Sequence, residues 1–96
     1  MSSKGLPNTA IYEQEYIKAF GKSLKLLRQT VTQKSLRIFA YETDIPCATL
    51  SRIENGTRIP NLVILKRIAT GFDWTISELV DRIENNITDN VKHFEI

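Results

Sequence analysis

The chain has 96 residues, of which 42% are hydrophobic and 25% charged, a composition typical of one soluble globular domain and unlike collagen, a coiled coil or a disordered segment. Its apolar runs are far shorter than the ~20 residues that a membrane span needs, and no apolar segment follows the basic start as in a signal peptide. The net charge of +2 is too small to indicate a nucleic-acid partner by itself.

The charge is unevenly distributed along the chain. Residues 1–60 hold nine Lys and Arg against five acids, a balance of +4, whereas residues 61–96 hold four against six, a balance of −2. Basic side chains gathered in one region direct a domain towards polyanions. The asymmetry therefore favours a nucleic-acid partner without establishing one.

The N-terminal region predicts an arm followed by a first helix. Residues 1–13 contain Ser, Gly, Pro and Asn without an apolar period, which is typical of a mobile arm. From about Glu15 to near Thr30, apolar residues recur at steps of three and four, as on one face of a helix. This predicted inner face comprises Ile17, Phe20, Leu24, Leu27 and Val31.

Two short helices follow. Ser35 is suited to cap a second helix over about Leu36–Thr43, because its hydroxyl can accept a hydrogen bond from a first-turn N–H. Pro46 disfavours a continuing helix and suits the first turn of a new one, so a third helix is predicted to start there. Its inner face carries Leu50 and Ile53, and Asn55-Gly56 ends it.

Two more helices complete the predicted domain, which spans residues 14–84. Asn61 is suited to cap a fourth helix that closes near Gly71, and Thr75 to Glu78 has the form of a capping box at the start of a fifth. The fifth helix has an inner face of Ile76, Leu79, Val80 and Ile83. Because no segment alternates polar and apolar residues over a strand's length, the sequence predicts an all-α fold of five helices.

The second and third helices, joined by about three residues, have the spacing of a helix-turn-helix unit. The stretch 48–56 (ATLSRIENG), followed by Arg58 and 60–62 (PNL), resembles the recognition helix and following loop of lambda-repressor/Cro-like, or XRE-type, DNA-binding domains. The resemblance extends from about Phe20 to Val80. It implies a compact five-helix fold that binds double-stranded DNA. Leu36 stands where many members carry a DNA-contacting glutamine, and Asp44 where many carry glycine.

The resemblance also implies which residues read the bases. In this family the N-terminal turn of the third helix faces the major groove. Arg52 is the strongest candidate, because a guanidinium can bond guanine O6 and N7 together; its alternative is a phosphate-bound or solvated arginine. Cys47 and Ala48 can pack against a thymine methyl group. With Pro46, these residues make up the predicted base-reading set.

Small polar and basic groups around the two helices are the predicted phosphate contacts, which fix register without reading sequence. For Arg37, a plain surface role is an equally good interpretation. The full set is Ser35, Arg37, Thr49, Ser51, Asn55, Thr57 and Arg58. The resemblance further implies that Arg28 and Glu54 form a structural ion pair between the first helix and the end of the third.

Cys47 admits a second interpretation, as a redox or metal sensor at a helix N-terminus. The chain has no other cysteine, and its one histidine, His93, is 46 positions away, so no metal site and no cofactor are predicted. An internal disulfide is excluded, and a cytoplasmic location is expected. No catalytic arrangement appears at useful spacing, so an enzyme is not expected.

A C-terminal tail over residues 85–96 continues the apolar spacing of the fifth helix. We expect this stripe to form a two-fold homodimer interface that sets two recognition helices one DNA turn, ~34 Å, apart; the alternative is a frayed terminus. The stripe comprises Val80, Ile83, Ile87, Val91 and Phe94.

Taken together, the sequence predicts a dimeric transcriptional regulator, a repressor that reads a palindromic operator. Phage-type repressors, restriction–modification controllers and antitoxin-like autorepressors all fit this description. The alternative is a protein-interaction module of the same fold, antitoxin-like or a co-regulator, with DNA binding secondary. The acidic C-terminal region would serve such a protein partner.

Overall fold

The computed structural model describes residues 6–87, and the side chains of 11–87. Over these residues the chain forms five α-helices and no strand, which confirms the predicted all-helical architecture. A five-residue π-helical segment, Arg28–Thr32, separates the first two helices and is called the π turn below. The helices are α1 (Leu6–Leu27), α2 (Leu36–Thr43), α3 (Cys47–Glu54), α4 (Leu62–Gly71) and α5 (Ile76–Glu84).

Helix α1 is longer at its N-terminus than the sequence pattern indicates. It begins at Leu6 instead of near Glu15, so residues 6–13 of the predicted arm are helical. Pro7 lies in the first turn, where its missing N–H has no partner to lose and its fixed φ suits the helix. The Pro7 signal that favours an arm is therefore equally compatible with a helix start.

The π turn rotates the end of the first helical segment away from the core. The N–H of Gln33 donates to the carbonyl oxygen of Arg28 at 3.0 Å, a wider turn than that of an α-helix. Val31 is consequently 48% exposed, although the 3.6-residue period places it on the inner face. The prediction for Val31 was wrong because that period ends at Leu27.

The α2–turn–α3 segment follows the predicted boundaries closely. The Ser35 hydroxyl accepts a hydrogen bond from the N–H of Ile38 at 3.2 Å and caps α2. Three residues (44–46) separate the helices, and α3 begins at Cys47 with Pro46 as its N-cap. Asp44 takes a left-handed conformation (φ 57°), which Asp tolerates better than most residues.

Helices α4 and α5 start at the predicted caps. Asn61 accepts from the N–H of Ile64 at 2.8 Å, and Thr75 and Glu78 form the reciprocal capping box. Gly71 is the last residue of α4, as predicted. Its small size is required because a Cβ there would lie 2.5 Å from Cγ2 of Thr43 on α2.

One core holds the helices together. Hydrogen bonds join the first helix to the last: Tyr16 donates to a carboxylate oxygen of Glu84 at 2.6 Å, and Ser23 donates to the carbonyl oxygen of Ile83 at 2.8 Å. The largest fully buried side chains are Phe39, Leu24, Leu50, Ile53, Ile68, Leu79 and Ile83.

No helix among residues 6–87 has the length and apolar character needed to cross a membrane.

Candidate nucleic-acid interface

The exposed side of α3 carries the predicted base-reading residues. Leu50 and Ile53, almost fully buried, fix the inner side of the helix in the core. The opposite side presents Cys47, Ala48 and Arg52 to solvent. Positions 47, 48, 51 and 52 share one face because an α-helix has 3.6 residues per turn. Pro46, also exposed, stands at the open N-terminal end. The structure thus brings all four base-reading candidates onto one accessible surface.

Four of the phosphate candidates are exposed at the N-terminus of α2 and beyond the C-terminus of α3. Ser35 and Arg37 are exposed at the N-terminus of α2, where free backbone N–H groups attract anions. Asn55 and Arg58 are exposed just beyond the C-terminus of α3. No salt bridge between residues 11 and 87 involves any of the exposed arginines on this side, which are Arg37, Arg52 and Arg58.

Three of the predicted phosphate contacts are less available. Thr49 and Ser51 are half-buried on the flank of α3. The Thr57 hydroxyl donates to the carbonyl oxygen of Arg52 at 3.2 Å, so its one proton is already used. A phosphate oxygen needs a donor, and Thr57 in this conformation instead closes the end of α3.

A buried ion pair holds the C-terminal end of α3 on the side opposite its exposed face. Arg28 donates from Nε to one carboxylate oxygen of Glu54 at 2.7 Å and from Nη2 to the other at 2.9 Å. Both residues are about 95% buried, since their exposed fractions are 5% and 6%. Nη1 of Arg28 also donates to the carbonyl oxygen of Lys34 at 2.8 Å. One guanidinium therefore ties the start of the π turn to the end of α3 and to the residue before the α2 cap.

Two glycines let α1 approach the C-terminal end of α3. A Cβ on Gly21 would lie 2.6 Å from the carbonyl oxygen of Glu54 and closer still to that of Ile53. A Cβ on Gly56, which is left-handed (φ 76°), would lie 2.7 Å from Cα of Lys18. Sequence reasoning assigned no role to Gly21, although a glycine inside an apolar helical period is itself a signal of close packing.

Two residues of the predicted dimer stripe are buried within the chain itself. Ile83 and Ile87, 0% and 6% exposed, pack into the core of their own chain and leave almost no surface for a partner. The burial of Ile83 agrees with its predicted place on the inner face of the fifth helix, and α1, whose Ser23 bonds to the Ile83 carbonyl oxygen, packs against this end of the chain. Val80 is half-buried, and Val91 and Phe94 lie outside the residues that the structure describes, as does His93.

An apolar groove of about 260 Å³ lies instead between α1, the loop before α4, and α5. Val80 and Ile59 line it, and Ile59, Leu62 and Val63 are 68%, 70% and 59% exposed. We call Ile59, Leu62, Val63 and Val80 the apolar surface.

Tyr16 also lines the groove. Burial, and then the neighbouring Glu84 carboxylate, raises the pKa of Tyr16 far above its usual value, so its hydroxyl keeps its proton.

Cys47 is a free, exposed thiol. Over the part of the chain that the structure describes, no three side chains of His, Cys, Asp or Glu come together as metal ligands. The surroundings of Cys47 are those of the base-reading surface described above.

Comparison with known proteins gives one informative match. The chain is 43% identical over 65 residues to control protein C.MunI from Mycoplasma sp, and the alignment covers 68% of this chain and 88% of that protein. No protein-family model matches the chain, and no solved structure matches it. The similarity therefore spans most of the length of C.MunI.

Proposed function

The chain belongs to the control-protein family of C.MunI, and from this we propose that it is a helix-turn-helix transcriptional regulator that binds double-stranded DNA and controls restriction–modification genes. The observation that supports this best is the exposed face of α3, which presents Arg52 beside small side chains. Selection of binding sites from random duplexes tests the proposal. Enrichment of one palindromic motif is expected, whereas no binding even at low salt would favour the protein-interaction module.

The proposed mechanism places α3 in the major groove. Arg52 bonds guanine O6 and N7, while Cys47 and Ala48 pack against thymine methyl groups. Arg37 at the start of α2 and Arg58 after α3 neutralise phosphates on either side and set the register. In this proposal the protein is not an enzyme and acts in the cytoplasm. It acts as a repressor because a domain bound to an operator excludes competing proteins from the same DNA.

Arg52→Ala is expected to weaken binding to the selected operator by about 1–3 kcal/mol, since it removes a bidentate base contact. Affinity for random duplex should change little. Fluorescence anisotropy on both duplexes at fixed salt measures the two affinities. Arg37→Ala is the matched control, because it removes the same charge at a predicted phosphate contact and should weaken both duplexes alike. Equal losses on the two duplexes for Arg52→Ala would reject base reading.

We further propose that the protein binds its operator as a homodimer held by the apolar surface. Ile59 lines the apolar groove, and Leu62 and Val63 are exposed in the first turn of α4. A self-complementary two-fold interface needs both protruding apolar side chains and a recess, and these residues offer the two. Two copies related in this way would present two α3 helices to successive major grooves, ~34 Å apart on B-DNA.

Leu62→Glu is expected to convert the dimer to a monomer, because a carboxylate in an apolar interface loses its water without gaining a partner. Sedimentation velocity over a range of protein concentrations measures the change. Val31→Glu is the control, since it adds the same charge at another exposed aliphatic residue, in the π turn. A wild-type protein that sediments as a monomer at all concentrations would contradict the dimer. Truncation before Ile87 is unsuitable, because it opens the core.

A further inference from the structure

Helix α4 reaches the turn between α2 and α3 through one side chain. Nη1 of Arg67 donates a hydrogen bond to the backbone carbonyl oxygen of Asp44 at 3.0 Å. Gly71, one helical turn further along α4, lies on the same face, and a Cβ there would touch Thr43 and Phe39 of α2. Arg67 therefore projects from the side of α4 that packs on α2.

Backbone hydrogen bonds hold the N–H groups of this turn to α2, whereas the carbonyl of Asp44 faces Arg67. Asp44 is left-handed, a conformation that disfavours most side chains, and its N–H bonds back to α2. Pro46 has no N–H, and no side chain caps the start of α3. Ile45 anchors the inner side of the turn, because it is buried and its N–H donates to the carbonyl oxygen of Ala40 at 3.0 Å. Only the Arg67 hydrogen bond is seen on the Asp44 carbonyl among the described residues.

The direction of the Asp44 carbonyl determines where the chain goes next. Rotating the peptide that joins Asp44 to Ile45 would move Pro46, and with it the first turn of α3. The guanidinium is well suited to fix this peptide, because it is planar, permanently charged and less strongly hydrated than an ammonium group. A hydrogen bond from a charged donor is also stronger than one from a neutral donor.

We propose that Arg67 is a positioning residue for DNA reading. By fixing the Asp44 peptide it sets the angle at which α3 presents Arg52 to the bases, so it contributes to sequence discrimination without touching DNA. This role rests on the proposed DNA-binding function. The competing role for an exposed arginine next to the reading helix is a direct phosphate contact, which makes different predictions.

The test compares Arg67→Gln with Lys66→Gln, which removes the same charge from the neighbouring exposed residue of α4. Affinities are measured for the selected operator and for a duplex with one mismatched base pair, at several salt concentrations. For Arg67→Gln the ratio of the two affinities should fall about 2- to 10-fold, the range expected from losing one hydrogen bond. The salt dependence should stay that of the wild type, and Lys66→Gln should retain the full ratio.

Two results would overturn the proposal. An equal loss on both duplexes, with a salt slope smaller by ~0.9, would assign Arg67 to a phosphate. An unchanged affinity ratio in Arg67→Gln, or the same fall in both variants, would remove any positioning role.

A second measurement separates this proposal from the proposed function. Amide hydrogen exchange without DNA reports on the N–H of Ile45, bonded to Ala40, and of Leu50, bonded to Pro46. Protection at these amides should fall about 2- to 10-fold in Arg67→Gln and stay unchanged in Lys66→Gln. If wild-type protein bound no duplex, the DNA-binding function would fail, while this measurement would still support or overturn the restraint of the turn.

Discussion

Glu54→Ala is expected to destabilise the domain by about 3–5 kcal/mol, because it leaves the Arg28 guanidinium buried without its carboxylate. Both partners are almost fully buried and joined by two hydrogen bonds, so the guanidinium loses two acceptors at a site shielded from solvent. For a domain of this size, such a loss lowers the melting temperature by more than ~12 °C. Thermal and urea denaturation followed by circular dichroism measure it.

The exposed pair of Lys34 and Glu42 provides the control for this experiment. Their side chains are 38% and 45% exposed, so solvent screens the attraction, and Glu42→Ala should cost less than ~1 kcal/mol. A loss in Glu54→Ala no larger than that of Glu42→Ala would contradict a structural role for the buried pair. Replacing both buried partners by apolar residues of similar volume should recover much of the loss, since no charge is then left unpaired.

Gly21→Ala is expected to destabilise the domain by up to about 2 kcal/mol, because overpacking costs about 1–3 kcal/mol and alanine favours a helix over glycine by only ~1 kcal/mol. The added methyl would collide with the backbone carbonyl oxygens of Ile53 and Glu54, which move only if α3 moves. The displacement would shift Arg52 as well, so operator affinity should fall together with stability. Denaturation curves and operator binding, measured on the same preparation, check both effects.

Lys22→Ala is the matched substitution on the adjacent, exposed position of α1 and should change stability by no more than ~0.5 kcal/mol. If Gly21→Ala proved more stable than the wild type, helix propensity would outweigh the contact. The predicted cost of the close approach of α1 to α3 would then be wrong.

Local signals predicted the helices well wherever a cap or a breaker marks the boundary. Ser35, Asn61 and the Thr75–Glu78 box each define a helix start through hydrogen bonds within four residues, and the structure forms all three. The exposed face of α3 followed from the same reasoning, because Leu50 and Ile53 identify its buried side. The ion pair of Arg28 and Glu54 came from the family resemblance, since the two residues are 26 positions apart.

The remaining features depend on packing between distant segments, which a sequence period does not report. The exposure of Val31 follows from the π turn, and the burial of Ile87 follows from the position of α1. Gly21 is required by a backbone that approaches from 32 residues away, and Arg67 finds its acceptor in the turn between α2 and α3. In each case the neighbour, and not the residue itself, decides the role.

The pairing of the first helix with the last has a consequence for folding during synthesis. Tyr16 bonds to Glu84 and Ser23 to the Ile83 carbonyl, across 68 and 60 residues of chain. Helices α2 and α3 are synthesised well before α5. One side of their hydrophobic core stays exposed until Leu79, Ile83 and Ile87 pack against it. Such long-range contacts form late, after the entropy of closing the loop has been overcome. A chain that lacks α5 and Ile87 therefore leaves the core behind α3 uncovered and is not yet a stable domain.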